Sequence, residues 1–163
     1  MITKDEYIKS LVHEIDIIKH LYTKIDASKL DYRPTPKQRS TLELLQYLGQ
    51  AVHTPISAYI AGNQEKYIEL MGNKELVTYE NFIQKMDEQA AFVKETGGTL
   101  SEEDLKKEST IFGHTASLAM HLLHTLQSVT AYKMQLFLYI KESGNADIGT
   151  SNVWAGKDAP VKG

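Results

Sequence analysis

The 163 residues, 42% of them hydrophobic, suffice for one domain with a sizeable core and are too few to suggest two. A net charge of −3 with 18 scattered Lys and Arg leaves no electrostatic footprint for DNA or RNA. The absence of Cys excludes disulfides, thiolate zinc sites and Cys nucleophiles, so His, Asp, Glu and Tyr remain as the strong metal ligands.

The opening MITKDEYIKS lacks the apolar core of a secretory signal, and a cytoplasmic location is expected. Thr3 and Glu6 fit a capping box, after which Tyr7, Ile8, Leu11, Ile15, Ile18 and Tyr22 repeat at helical spacing and define a first helix. Pro34 and Pro36 end it in a loop. Ser40 and Glu43 form a second box, opening a helix that buries Leu42, Leu45, Leu48, Val52, Ile56 and Tyr59. Pro55 is expected to kink or interrupt that helix near His53. A short connector helix around Lys66 to Met71 precedes Gly72. A third helix over about 79–95 buries Phe82, Ile83, Met86 and Ala90 and is expected to stop at Gly97-Gly98. Ser101 to Lys107 reads as a short charged turn of helix.

The stretch 115–141 predicts one long helix with a partly polar inner side. His121, His124, Ser128, Tyr132 and Gln135 share a stripe with Leu118, Val129 and Leu136, because residues three, four and seven apart return to one face. Between Leu118 and Ile140, His121, His124, Gln127, Lys133 and Gln135 would all lie in the hydrocarbon, which argues against a membrane span. Gly144 ends the helix. An irregular strap held by Trp154 is expected next, with disorder after Pro160. Four amphipathic helices without an alternating strand pattern define an all-α bundle with short connector helices. The link of about fifteen residues between helices two and three is long enough to cross the bundle, which allows up-down-down-up order.

Two segments carry a family likeness. Leu30-Asp-Tyr-Arg-Pro34 followed by Ser40-Thr-Leu-Glu-Leu-Leu-Gln-Tyr47-Leu resembles the loop and second helix of the DinB-like four-helix bundles. The run Ala131-Tyr-Lys-Met-Gln-Leu136 through Gly144 resembles the family's His-His-Arg-Gly-Gln-Leu segment and helix end. The resemblance implies an up-down-down-up bundle, a homodimer and, commonly, a three-His divalent metal centre with thiol-transfer activity in some members. Here Tyr47 falls where the helix-two His belongs, and Ser128 and Tyr132 fall on the helix-four His pair. A neutral phenol and a hydroxyl are poor substitutes for imidazole, so no metal is expected at those positions.

The candidate pocket is therefore Tyr47, His121, His124, Ser128 and Tyr132, taking a small ligand without a cofactor. The alternative is an enzyme, a transferase or hydrolase with zinc, nickel or manganese relocated to His53, His121 and His124. His53 stands six residues beyond Tyr47 and is turned about 120° from its face, unless the Pro55 kink redirects it. His114 would lie about 10 Å along a continuous helix from His121, too far to share an ion. His13, Asp16 and His20 fall opposite the apolar stripe of the first helix and read as a solvated face or dimer contact. No Glu-x-x-His pair occurs, against a ferritin-like di-iron centre. Ser128 lacks a base oriented by a carboxylate, against a Ser nucleophile.

Overall fold

The computed structural model describes residues 2–160. Helix α1 (Lys4–Tyr22) begins at the Thr3–Glu6 box, with both reciprocal hydrogen bonds formed. The second rod is two helices, α2 (Thr41–Leu48), capped by Ser40 and Glu43, and α3 (His53–Ala61). A connector, α4 (Gln64–Met71), is capped by Asn63. The third rod is α5 (Phe82–Thr99), followed by α6 (Glu102–Lys106), whose cap is a Ser101–Asp104 box. Strands β1 (Glu108–Ile111) and β2 (His114–Ser117) form an antiparallel hairpin that leads into the fourth rod, α7 (Leu118–Ser143), and the chain closes with α8 (Thr150–Ala155).

Hydrogen bonds between helix ends set the direction of each rod. Lys4 Nζ donates to Leu100 O and Tyr22 Oη to Tyr79 O, so α1 and α5 are antiparallel. Tyr7 Oη donates to Leu122 O and Asn145 Nδ2 to Lys24 O, so α1 and α7 are parallel. Tyr139 Oη, near the end of α7, donates to Arg39 O just before α2, so the second rod runs against the fourth. The order is up-down-down-up, as the family likeness implied. The rods enclose one core, in which Leu11, Ile15, Leu44, Leu48, Phe82, Met86, Val129 and Leu136 are buried.

The interruption expected near His53 is present, and three other local expectations are corrected. Pro55 stands at the third position of α3, within the first turn, where backbone N–H groups have no intrahelical acceptor. The break lies upstream, at 49–52, and buried Gln89 of α5 holds it: Oε1 accepts from Val52 N and His53 N, and Nε2 donates to Leu48 O. Gly97-Gly98 does not end α5. A Cβ at Gly97 would stand 2.3 Å from Ile8 Cδ1, so this glycine is the seat on which α1 approaches the helix. The segment 115–117 is strand, not helix. Phe112 and Gly113 have φ of 50° and 76°, the left-handed pair that closes a two-residue hairpin, and β-branched Thr110, Ile111 and Thr115 flank it. The tail is not wholly irregular: α8 packs through buried Asn152 and Val153, while Trp154 is 59% exposed and so does not anchor it by burial. The stretch beyond Pro160, expected to be disordered, lies outside the described residues.

Candidate functional site

The buried face of α7 is centred on Leu118, Leu122, Thr125, Val129, Lys133 and Leu136. The row His121, His124, Ser128, Tyr132, Gln135 therefore forms the flank of that face, and its members meet different surroundings. His121 is buried, His124 and Tyr132 are half-buried, and Ser128 is exposed, one residue and about 100° from Val129. Ser128 thus leaves the expected pocket.

At the middle of the bundle Tyr47 of α2 packs on Tyr132 of α7, with ring centroids 4.5 Å apart. The Arg39 guanidinium lies 4.6 Å from the centroid of Tyr47 and 5.7 Å from that of Tyr132, a double cation–π contact. Burial pushes the Tyr47 phenol well above its ordinary range, and the neighbouring phenols of Tyr67 and Tyr132 push the same way. A phenol held neutral in this manner does not become an anionic ligand near neutral pH.

Towards the start of α7, His121 stacks on Tyr59 with centroids 4.4 Å apart and planes 11° from parallel. Its Nε2 donates to Ser109 O of β1 at 3.1 Å. The hairpin returns His114 to this end of the helix, with ring centroids 5.9 Å from His121 and 5.1 Å from His124. The separation expected along a continuous helix does not apply.

His53 goes elsewhere. It opens α3 and packs edge-on against Phe92 of α5, with centroids 4.4 Å apart. Burial lowers its pKa, Lys66 lowers it further, and Glu88 opposes them. His53 borders a cavity of about 300 Å³ at the α2–α3 break, walled also by Gln50, Leu70, Asn73, Lys85, Glu88 and Phe92. The structure thus places His53 away from His121 and His124, and among the described residues no group of three or more His, Asp or Glu could hold a metal ion.

Several of these partners were not foreseen. Gln89 carried a signal, since it lies with Phe82, Met86 and Val93 on the buried stripe of α5, where an amide must find partners. Arg39, Tyr67, Lys85 and Glu88 carried none, because each becomes meaningful only through contacts between helices. Lys133, matched in the family run by Arg, is 1% exposed and stands 2.7 Å from Glu14 Oε2 without hydrogen-bond alignment. The Trp154 ring covers it at 5.0 Å, and the group ties α1, α7 and α8 together. His20 also meets the tail, 3.0 Å from Asn152 Nδ2, which corrects its expected solvated setting, while His13 and Asp16 are exposed.

The rod order and the aromatic layer define an all-α, up-down-down-up bundle. It is similar to the crystal structure of a DinB-like protein from Bacillus subtilis, with a TM-score of 0.70 and 18% sequence identity, over 89% of this chain and 96% of that one. The likeness establishes a DinB-like fold. No family model and no curated relative matches the sequence. Among the described residues no helix is long and apolar enough to cross a membrane.

Proposed function

We propose that this chain is a cytoplasmic small-molecule-binding bundle whose ligand occupies the cavity at the α2–α3 break and needs no metal at the family positions. The observation that carries this reading is the cavity at His53. Its volume, about 300 Å³, is at the lower end of the range for sites that enclose small ligands. Phe92 and Leu70 offer apolar surface, while Gln50 and Asn73 offer amides. Lys85, whose Nζ is 2.8 Å from Glu88 Oε2, offers a cation. His53, kept neutral by burial, can donate from one ring nitrogen and accept at the other. This lining suits a compact aromatic or branched carboxylate, or the matching carboxamide, with its apolar body against Phe92.

Calorimetric titration with benzoate and benzamide tests the reading. Binding of either, weakened at least tenfold by Phe92→Ala, supports it, and a selective loss of benzoate in Lys85→Ala assigns the carboxylate to that cation. No heat from either probe up to its solubility limit overturns it.

We also infer a homodimer through the outer face of α7. Met120, Leu123 and Leu138 are 45%, 40% and 51% exposed, and with Gln127, Ala131 and Met134 they recur every three or four residues along one helix face. The row is self-complementary when reversed: Met120 opposes Leu138, Leu123 opposes Met134 and Gln127 opposes Ala131. A two-fold axis between antiparallel copies makes those pairs. In sedimentation analysis the chain is expected to be dimeric and Leu138→Lys monomeric; a monomeric parent chain contradicts the inference.

A further inference from the structure

A second concavity lies on the other side of the bundle, walled by different elements from those at His53. It is a cleft of about 530 Å³ between the loop that precedes α2 and the second half of α7, well inside the volume range of small-ligand sites. We propose that this cleft binds a compact primary amine, an ammonium group on an aromatic or branched apolar body, with Glu142 as its counter-charge.

The wall combines the three things such a ligand requires. Pro34, Met134 and Leu138 supply apolar surface for its body. The Tyr32 and Tyr139 rings meet edge to face, with centroids 5.7 Å apart and planes at 86°, and form an aromatic corner. Tyr139 is 2% exposed and its hydroxyl is committed, donating to Arg39 O and accepting from Gln135 Nε2. Tyr32 is half-buried, so it carries the open ring surface on which a cation is attracted by the π-electrons. Glu142, which is exposed, is the only charged side chain in the wall. Burial raises the Tyr32 pKa and the Glu142 carboxylate raises it further, which places that negative charge beside the ring.

The polar atoms left open favour N–H donors. Because Gln135 spends Nε2 on Tyr139, its Oε1 remains to accept, alongside the Glu142 oxygens. An ammonium has three donors and no acceptor, which matches that set, whereas an anionic ligand would face Glu142. Basic side chains of the two walls are engaged elsewhere: Arg33 pairs with Glu43 at 3.3 Å, Arg39 lies over Tyr47, and Lys141 donates to Ile148 O. Ala131, Met134 and Leu138 also belong to the face inferred for the dimer, so on that reading a bound amine and a second copy exclude one another.

The test is calorimetric titration of the tag-free full chain with 2-phenylethylamine, followed by methionine-methyl NMR. One amine per chain is expected, with the Met134 methyl shifted and that of core Met86 unchanged. Affinity is expected to fall about tenfold or more in Glu142→Gln, a loss of about 1.4 kcal/mol. Benzyltrimethylammonium, which has no N–H, should bind more weakly, and benzoate should leave Met134 unshifted. In sedimentation the amine is expected to shift the dimer towards monomer. Absence of heat and of a Met134 shift at millimolar amine overturns the proposal, as does parental affinity in Glu142→Gln. Equal affinity for the two cations overturns the assignment to a primary amine, and a dimer that persists at saturating amine overturns its placement in the cleft. A chain that is monomeric throughout and still binds the amine supports the proposal and removes only the dimer.

Discussion

Tyr47 and His53 stand six residues apart on the second rod, yet one is packed between an aromatic ring and a guanidinium and the other borders a cavity. The difference comes from the backbone between them. Continuous α2 presents Tyr47 to α7, and the Tyr132 ring and the Arg39 guanidinium fill the space around it. At 49–52 the helix stops before α3 begins, and the gap towards α5 is bridged by one amide side chain, that of Gln89. The bundle is thus filled by side chains at Tyr47 and keeps a concavity where the rod is interrupted.

The largest effect expected from breaking this contrast is at Gln89. Gln89→Ala orphans the Val52 and His53 N–H groups, while the Leu48 carbonyl still accepts from Ala51 N, and at about 1–3 kcal/mol for each group left unpaired the loss is about 2 kcal/mol or more. Urea unfolding measures it, and benzoate binding should fall along with stability because the cavity wall is no longer held. Next comes Tyr47→Ala, which opens a void in the half-buried aromatic layer and costs about 2–3 kcal/mol by the same measurement. Tyr132→Phe keeps the ring stack and removes only the hydroxyl, so a change of about 1 kcal/mol or less is expected. A much larger change would mean that the phenol, not the ring, organises this layer.

The smallest effect is pH dependence. Burial and Lys66 lower the folded-state pKa of His53, so the unfolded chain takes up a proton at a higher pH than the folded one. Its contribution is present above the unfolded value of about 6.5 and is lost as pH falls through the lowered folded value. His20 is lowered in the same direction, by burial and Lys24, so His53→Asn should flatten only part of the decline in urea midpoint between pH 7 and pH 5.

The rods themselves were legible because amphipathic spacing and capping boxes are local. Thr3–Glu6 and Ser40–Glu43 open helices where expected, and the long connection before Phe82 does allow two neighbouring rods to run the same way. Gly97 misled because glycine pairs usually end helices, whereas here the missing Cβ admits Ile8 of another rod. The hairpin was missed because each strand is only four residues long and its turn is Phe-Gly instead of Asn-Gly. That omission also hid His114, whose position follows from the chain doubling back. At the candidate site, the pairing of Tyr47 with Tyr132 followed from the family register. The cavity did not, since Lys85, Glu88 and Phe92 reach His53 across helices and no spacing along one chain segment encodes that meeting.

The most direct test of the contrast between the closed layer and the open break is an aromatic carbon–proton NMR titration of the full chain with benzoate. The account predicts shifts of the His53 and Phe92 rings, with Tyr47 and Tyr132 unchanged. Shifts of Tyr47 and Tyr132 with His53 and Phe92 silent would contradict it, placing the ligand in the layer that these side chains fill.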